Sequence, residues 1–264
     1  MIIVEKETIV TIPTLHVVKA ALKDQSSIPT VFFLHGFTSA KEHNLHVAYL
    51  MAEQGFRVIL PDAIHHGERE DELSKDERKL AMSFWEIVLT SIKELELIKK
   101  TLTEKGLVDE ERIGVIGTSM GAITTYGALT QFSWIQSAVS LMGVAHFQSF
   151  AEAQIKMMEQ KGVTIDEAMK EMVLAKLKPF DLSKQLDKID HRPLLIWHGK
   201  QDQVVPYLFS EQIHQSLLGY YEEQPENLRF ISEEQASHKV SRRAVLKSVD
   251  WFTYHLLKKT SEVS

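Results

Sequence analysis

The hydrophobic and polar positions of the chain change their pattern near residue 30. Between Lys6 and Lys19, apolar and polar residues alternate around Pro13, which predicts an antiparallel edge hairpin. From Thr30 onward, continuous apolar runs alternate with segments of helical spacing, which is typical of a parallel sheet covered by helices. We therefore predict an α/β fold with a mostly parallel central sheet, helices on both faces and an N-terminal antiparallel hairpin.

The apolar runs and the helical segments define the expected elements. Strands are predicted at 30–35, 57–61, 112–117, 137–142, 193–198 and 227–232. Helices are predicted at about 41–54, 81–105, 120–131, 206–218 and 241–258. One helix should bury a single face, because apolar and small residues recur every three or four positions: Phe84, Ile87, Val88, Ser91, Leu95 and Ile98.

The run Gly117-Thr118-Ser119-Met120-Gly121 lies between a predicted strand and a predicted helix. A strand, a G-x-S-x-G turn and a helix together form the context of a nucleophile elbow. Glycines at both ends leave out side chains where strand and helix crowd together, so the turn can present the Ser119 hydroxyl. An ordinary turn rich in small residues is the alternative, and it leaves the rest of the constellation unexplained.

A serine nucleophile needs a base and an acid that orients the base. Asp202 follows the apolar run 193–198, and His238 follows the last predicted strand. The order Ser119, Asp202, His238 is the one that hydrolases with a nucleophile elbow use. For the oxyanion, we expect donors in the backbone N–H groups of Phe37, after the first parallel strand, and of Met120.

Other residues compete for these roles. His198 precedes Asp202 and could act as the base only in an unusual chain order, and His255 lies deep in the last predicted helix. Three further acids lie in the long segment between the predicted strands at 137–142 and 193–198, which resembles an inserted cap: Asp181, Asp187 and Asp190. We therefore favour Asp202 as the acid and His238 as the base.

About fifty residues, 144–192, interrupt the regular alternation of strands and helices. The segment is rich in Met, Gln, Glu and Lys, and it contains a helix-start pattern with Thr164 as the N-cap. We predict a single domain over 1–264 in which this segment inserts a small helical cap. Candidates for its pocket-facing side chains are Phe147, Phe150, Ile155, Met158, Met169 and Met172, and packing onto the body of the domain explains each of them equally well.

Composition restricts the possible partners. The 264 residues include 44% hydrophobic and 25% charged residues, as in ordinary globular domains. The net charge of −6 gives no reason to expect nucleic acid or an anionic membrane as a partner. The chain has no cysteine, which excludes disulfides, Cys-ligated zinc and a thiol nucleophile.

The location follows from similar observations. Residues 1–7 carry acid early and lack the basic start and apolar run of a signal peptide, and no window has the apolar length of a membrane span. Together with the absence of cysteine, this predicts a cytoplasmic protein without a membrane partner.

Twelve histidines raise the possibility of a metal site. His65 and His66 follow a predicted strand together with Asp62, but no H-E-x-x-H or comparable ligand spacing is present. Adjacent histidines in a turn tend to point in different directions, so we predict no catalytic metal. His43 is placed on the first helix or its approach, where it can face the mouth of the pocket.

The chain resembles the α/β-hydrolase superfamily, and more narrowly the small bacterial esterases related to dienelactone hydrolases and to the catalytic domain of prolyl oligopeptidases. The resemblance extends from about residue 28 to about residue 257 and rests on these motifs: His35-Gly36-Phe37, Pro61-Asp62, His66-Gly67 with Arg69, Gly117 to Gly121, Trp197-His198-Gly199 with Asp202, and His238. It implies Ser119 as nucleophile, His238 as general base, Asp202 as its orienting partner, and Phe37 and Met120 as oxyanion donors. It also implies structural roles for His35 and His66.

These observations predict a serine carboxylesterase that cleaves small acyl esters without a cofactor, with Phe147, Phe150 and His43 at the substrate. Short acyl groups are expected because the predicted cap is short. A thioesterase or a small-peptide hydrolase would use the same residues, and a non-catalytic ligand-binding protein on this scaffold is a further alternative. The partner is a small-molecule ester, and the chain is expected to be a monomer or a homodimer.

Overall fold

The apolar runs of the sequence form one eight-stranded sheet in the computed structural model, which describes residues 1–258. The strands are β1 Ile2–Ile9, β2 Ile12–Lys19, β3 Ile28–Leu34, β4 Arg57–Pro61, β5 Val108–Thr118, β6 Ser137–Leu141, β7 Leu194–Gly199 and β8 Leu228–Glu233. Their order across the sheet is β1-β2-β4-β3-β5-β6-β7-β8. β2 runs antiparallel to β1 and β4, and the other neighbouring pairs are parallel, which confirms the predicted hairpin and mostly parallel sheet.

The helical segments lie between these strands. The α-helices of the described residues are α1 Leu45–Gln54, α2 Glu77–Met82, α3 Phe84–Glu104, α4 Met120–Gln131, α5 Phe147–Gln160, α6 Glu167–Leu177, α7 Tyr207–Leu217 and α8 Arg242–Phe252, continued by the π-helical turn Thr253–Lys258. Short 3-10 helices are Ala20–Leu22, Lys41–Asn44, Gly67–Arg69, Lys178–Phe180, Leu182–Lys184, Leu186–Ile189, Leu218–Tyr221 and Pro225–Asn227. In residues 1–258, no helix is long and apolar enough to cross a membrane.

The sheet is buried on both faces, which explains why its central strands are continuous apolar runs. Along β3, Phe32 packs into a core with α3 and α4, whereas Val31 and Phe33 pack into a second core with α1 and α8. Side chains alternate between the faces of a strand, so one apolar run supplies both cores. The predicted helices on both faces, and with them the α/β-hydrolase fold, are confirmed.

The predicted helix at 81–105 corresponds to α3, but its first two residues belong to a separate short helix, α2, which was not predicted. Ser83 leaves the helical path with φ −86° and ψ 0°, so that α2 ends there and α3 begins at Phe84. The buried face of α3 also differs in part from the prediction, because Ile92 and Leu102 are buried while Ser91 and Phe84 are only partly so. The periodicity correctly predicted one buried face, but a polar side chain can stand at its border.

The segment 144–192 contains α5 and α6, followed by three 3-10 helices. The prediction of Thr164 as an N-cap is wrong, because α6 begins at Glu167 and Asp166 takes the N-cap position. The N-terminus of α5 is bound from a distance, since the carboxylate of Asp181 accepts a hydrogen bond of 2.9 Å from the Gln148 N–H. A pairing between residues so far apart in sequence leaves no local signal.

Strand β1 is one edge of the sheet and pairs only with β2. It carries three consecutive charged residues, Glu5, Lys6 and Glu7. Each is paired with another element: Glu5 lies 2.5 Å from Lys23, Lys6 lies 3.1 Å from Glu68, and Glu7 lies 3.2 Å from His16.

Candidate active site

Ser119 lies at the sharp turn between β5 and α4. Its backbone has φ 54° and ψ −113°, a conformation that residues with a side chain seldom adopt. The Ser119 N–H donates a hydrogen bond of 2.9 Å to the Leu141 carbonyl at the end of β6, which anchors the turn to the neighbouring strand. The strained backbone is therefore held at the C-terminal ends of the parallel strands and is not part of a free loop.

Two glycines allow this turn to pack. A Cβ atom added at Gly117 would lie 2.0 Å from the Gly121 carbonyl oxygen, and one added at Gly121 would lie 2.0 Å from the Leu34 carbonyl oxygen. Both separations are far below contact distance, so any side chain at either position would push α4 away from the sheet. The glycines of the G-x-S-x-G pattern are thus required by close packing around Ser119.

Three predicted catalytic side chains meet beyond the C-terminal ends of β5, β7 and β8. The Nε2 atom of His238 lies 2.9 Å from the Ser119 hydroxyl, and its Nδ1 atom lies 2.6 Å from Asp202 Oδ2. Because the carboxylate can only accept, Nδ1 donates to Asp202, and Nε2 accepts the Ser119 O–H. The arrangement can move a proton from the hydroxyl to the imidazole while the carboxylate stabilises the resulting cation.

The carboxylate of Asp202 is buried and held from two sides. Its Oδ1 accepts hydrogen bonds of 2.9 Å from the N–H groups of Val204 and Val205. Burial by itself raises the pKa of Asp202, but the hydrogen bonds from His198, His238 and the two amides outweigh it and hold that pKa well below its usual range. Asp202 is therefore ionised when it pairs with His238.

A second imidazole binds the same carboxylate, which the sequence analysis did not anticipate. His198 is fully buried, and its Nε2 lies 3.1 Å from Asp202 Oδ2 and 2.9 Å from the Val205 carbonyl. Both neighbours are acceptors, so we assign the proton to Nε2, and Nδ1 then accepts the Ser210 hydroxyl at 2.7 Å. The signal in the sequence is the spacing of four residues between His198 and Asp202 at the end of β7.

The other competing residues have different partners. The ring of His255 packs on Trp251 with a centroid distance of 4.2 Å. Asp181 holds the start of α5, as described above, and two further acids are exposed on the segment 144–192: Asp187 and Asp190. None of these acids is within hydrogen-bonding distance of His238.

The predicted oxyanion donors lie on two segments that touch. A Cβ atom added at Gly36 would lie 3.4 Å from the Thr118 carbonyl oxygen and 3.7 Å from the Ser119 Cβ, so the loop after β3 passes directly beside the elbow. Among the described residues, no protein acceptor binds the N–H of Phe37 or of Met120. Both amides are therefore available to an oxygen atom of a substrate.

His35 binds the loop after β3 to the loop after β4. The Ala63 N–H donates to His35 Nε2 at 3.0 Å, so Nδ1 carries the proton and donates to the Gly36 carbonyl at 2.8 Å. Burial is the largest influence and lowers the pKa of His35 to about 4. The neutral ring is the form that both hydrogen bonds require, as the predicted structural role implies.

His66 makes a matching connection in the opposite direction. The Thr38 N–H donates to His66 Nε2 at 3.0 Å, and Nδ1 donates to the Ile64 carbonyl at 2.8 Å. Burial lowers the pKa of His66 as well. Two neutral histidines thus hold the segment that carries the Phe37 amide.

A buried ion pair fastens the same two loops. Asp62 Oδ2 accepts from Lys41 Nζ at 2.5 Å, Oδ1 accepts from the Lys41 N–H at 3.0 Å, and Oδ2 also accepts from the Glu68 N–H at 3.0 Å. Gly67 allows this approach, because a Cβ there would lie 2.3 Å from Asp62 Oδ1. Burial lowers the pKa of Lys41, but its hydrogen bonds to Asp62, Glu68 and Glu42 outweigh burial and raise it, so the ammonium stays charged.

A cavity of about 710 Å³ adjoins Ser119. Three aromatic rings form part of its wall: Phe37 contacts Phe84 with ring centroids 5.6 Å apart, and Phe84 contacts Phe150 at 6.4 Å. Met157 and Met158 of α5 extend the apolar surface, and the loop after Asp202 supplies the remaining side: Gln203, Val204, Val205 and Pro206. The volume lies within the range of about 300–1,000 Å³ of ordinary ligand sites.

Two residues predicted to contact substrate do not line this cavity. Phe147 is fully buried against Trp85, with centroids 5.1 Å apart, because its ring points toward Gly127 of α4. His43 is exposed and pairs with the Ser39 hydroxyl at 3.1 Å, because the 3-10 turn directs it to solvent. Phe150 and Met158 line the cavity, whereas the other candidates of the segment do not: Ile155, Met169 and Met172.

A grouping with the spacing of metal ligands occurs elsewhere in the described chain. Side-chain atoms of Glu5, Glu7 and His16 lie within 4.8 Å of one another on the β1–β2 hairpin. Lys23 Nζ lies 2.5 Å from Glu5, and Arg57 lies 2.5 Å from His16 Nε2. Glu5 is thus paired with Lys23, and His16 contacts Glu7 through one ring nitrogen and Arg57 through the other, so all three side chains already have partners within the protein.

Comparisons with known proteins identify the family that the chain resembles. The model of the prolyl oligopeptidase family matches residues 42–260. The candidate esterase YitV of Bacillus subtilis (strain 168) is 48% identical over 258 residues, covering 97% of this chain and 100% of that protein. Esterase YjfP of Escherichia coli (strain K12) is 31% identical over 257 residues, again covering 97% and 100%.

Solved structures support the same fold. TT1662 from Thermus thermophilus superposes with a TM-score of 0.75 at 21% identity, covering 97% of this chain and 99% of that one. A candidate dienelactone hydrolase from Klebsiella pneumoniae superposes with a TM-score of 0.66 at 14% identity, covering 96% and 99%. The resemblance stated from the sequence motifs is confirmed.

Proposed function

This chain belongs to the prolyl oligopeptidase family, and on that premise we propose that it is a serine carboxylesterase. The observation that carries the proposal is the continuous hydrogen-bonded path Ser119–His238–Asp202 at the base of an apolar cavity. The two curated relatives that cover the whole chain are named as esterases, which supports the same class of substrate.

The first half of the proposed reaction forms an acyl-enzyme. Ser119 Oγ attacks the ester carbonyl carbon while His238 Nε2 takes the hydroxyl proton, and Asp202 stabilises the imidazolium. The carbonyl oxygen becomes an oxyanion and accepts from the N–H groups of Phe37 and Met120, each donor lowering the barrier by about 3 kcal/mol. The tetrahedral intermediate then collapses as His238 returns its proton to the departing alcohol.

The second half releases the acid. Water takes the place of the alcohol, and His238 accepts its proton as the oxygen attacks the acyl carbon. The same two amides hold the second oxyanion, and Ser119 leaves with the proton from His238. No step needs a cofactor, because the proton transfers and the charge stabilisation are supplied by side chains and backbone.

The cavity and helices α5 and α6 bear on the size of the acyl group. We treat α5 and α6 as the cap of a single domain, since Phe150 and Met158 of α5 face the cavity beside Ser119. The expectation of short acyl groups stays a prediction, and a volume of about 710 Å³ gives room for longer chains as well. The same triad could also cleave a peptide bond, and the family description favours a small-peptide hydrolase as the second candidate.

Hydrolysis of 4-nitrophenyl esters of increasing acyl length, wild type beside Ser119→Ala, tests the proposal. We expect turnover to fall about 10⁴-fold or more in the variant. In the wild type, an initial burst of nitrophenol would show that the acyl-enzyme forms and accumulates. Parallel assays with a thioester and a peptidyl amide distinguish the related hydrolases. No turnover of any ester by the wild type would contradict the esterase assignment, and turnover retained by Ser119→Ala would exclude Ser119 as the nucleophile.

The setting of the reaction is part of the proposal. A chain without cysteine is suited to the reducing cytoplasm, and we infer that it acts there on a small-molecule ester as a monomer or a homodimer. Light scattering coupled to gel filtration distinguishes the two states.

A further inference from the structure

The charged side chains that line the cavity at Ser119 have one sign. Within the described residues, Arg78 and Lys161 are the cations that line it, and no carboxylate does. The chain as a whole has more acids than bases, 36 against 30, so this local bias runs against the overall composition.

Neither cation is used in holding the fold together. In the part of the chain that the structure describes, no side-chain hydrogen bond or ion pair involves the Arg78 guanidinium or the Lys161 ammonium. Nearby acids have other partners, since Asp76 caps α2 and lies 3.4 Å from Lys79, and Glu159 lies 2.7 Å from Lys170. Both cations are exposed to solvent on one side and remain free to bind a ligand.

The two cations come from separate elements on the wall of the cavity. Arg78 lies on α2, whereas Lys161 follows the last residue of α5. Apolar side chains line the same cavity, among them Met82, Phe150 and Met158. An arginine fork matches the two oxygens of a carboxylate, and a lysine ammonium adds a second positive charge.

The cavity is suited to the part of the substrate that stays on the enzyme. Ser119 and Phe37, which bind the carbonyl, line the cavity, but His238 does not. In the proposed mechanism His238 protonates the departing alcohol, so the alcohol must lie on the side of His238. The acyl chain is then the group that enters the cavity and meets the cations.

We propose, on the basis of the esterase function above, that the preferred substrates are esters whose apolar acyl chain ends in a carboxylate. Arg78 and Lys161 bind that carboxylate while the ester carbonyl lies at Ser119. The substrates are thus half-esters of linear dicarboxylic acids, and hydrolysis releases the free dicarboxylic acid and an alcohol. The two cations act on specificity and take no part in the bond-breaking steps.

Matched pairs of substrates test this inference. Mono-4-nitrophenyl esters of dicarboxylic acids with six, eight and ten carbons are compared with 4-nitrophenyl esters of monocarboxylic acids of equal length. We expect a higher kcat/KM for the carboxylated ester at one or more lengths, and a preference that weakens in high salt because exposed charges are screened. The length that gives the largest preference reports the reach from Ser119 to the cations.

Charge-removing variants locate the effect. Arg78→Gln and Lys161→Gln should each lower kcat/KM for the carboxylated ester about threefold, and together about tenfold, as expected for partly exposed ion pairs. The neutral ester should be unaffected. Lys79→Gln and Lys156→Gln are matched controls, because they lie on the same two helices outside the cavity lining and should change neither substrate.

A binding measurement separates this inference from the esterase proposal. Calorimetry with Ser119→Ala compares the monomethyl ester of octanedioic acid with methyl octanoate, and tighter binding of the carboxylated ester that is lost in the double Gln variant would support the cation site without any turnover. A wild type that hydrolyses neutral esters but shows no preference for the carboxylated ones, or a double variant that slows both series equally, would overturn the inference. Failure to hydrolyse any ester would overturn the esterase proposal instead.

Discussion

At the C-terminal ends of the parallel strands, Ser119, His238 and Asp202 are joined by hydrogen bonds of 2.9 and 2.6 Å. The cavity wall on α5, in contrast, is built from Phe150, Met157 and Met158. The first region depends on directional contacts that allow one arrangement of atoms. The second depends on apolar contact, which many side chains can supply. The reaction therefore depends on the ends of the strands and the choice of substrate on the helices, so changes in the two regions should have different kinetic signatures.

A substitution of the acid at the ends of the parallel strands should lower activity the most. Asp202→Asn should lower kcat about 10⁴-fold, because the amide no longer holds His238 in the tautomer that accepts the Ser119 proton. Steady-state hydrolysis of a 4-nitrophenyl ester measures it. Asp187→Asn is the matched control, since this exposed acid of the segment 144–192 should leave kcat unchanged. Equal losses in both variants would refute the assignment of the acid.

Acidic pH should weaken the loops that carry the Phe37 amide. The unfolded chain protonates His35 near its ordinary pKa of 6.5, but burial keeps the folded pKa at about 4. Below pH 6.5 the unfolded state therefore binds the extra proton, and the fold loses up to about 3 kcal/mol between pH 6.5 and 4. Urea unfolding across this range measures the loss, and His35→Gln should flatten the dependence. An unchanged slope in that variant would rule out His35 as its source.

Substitution of His198 tests how much catalysis depends on the exact orientation of Asp202. His198→Leu should lower kcat about ten- to a hundred-fold with little change in KM, because Asp202 loses a hydrogen bond that keeps it aimed at His238. His198→Gln retains a donor and should recover part of the activity. A loss that appears only in thermal stability, with kcat intact in the folded protein, would make His198 a packing residue.

The cavity wall should respond more weakly and selectively. Phe150→Ala should lower kcat/KM about tenfold for long acyl esters and leave acetate esters unaffected, because the longer chain loses apolar contact. Met169→Ala is the control from the same segment, since its exposed side chain does not line the cavity. A similar loss of kcat/KM for acetate esters would mean that Phe150 also positions the catalytic side chains.

The parts of the molecule that the sequence predicted are those with local signals. The elbow at Ser119 was visible because close packing demands glycine at 117 and 121, and α4 begins and ends where the pattern placed it. The order of Ser119, Asp202 and His238 along the chain, each after a predicted strand, predicted that these three residues form a triad. These features are encoded in short stretches of sequence.

The residues that the sequence missed depend on distant partners. His198 was assigned no role at the acid because its ring is oriented by Ser210 of α7, a partner that only the packing of α7 against β7 brings near, although Asp202 is four residues away in sequence. Phe147 was placed at the substrate because an amphipathic helix gives no sign of which part of its apolar face meets a cavity. Arg78 and Lys161 are ordinary surface cations in sequence, and only the fold brings them to one wall.

The charges on β1 bear on how the molecule behaves when crowded. An open sheet edge is a template onto which another chain can add a strand, and charged side chains oppose such growth. Glu5, Lys6 and Glu7 occupy the outermost strand on this side of the sheet. A strand added here would meet these charged side chains, so the hairpin disfavours strand addition at this edge.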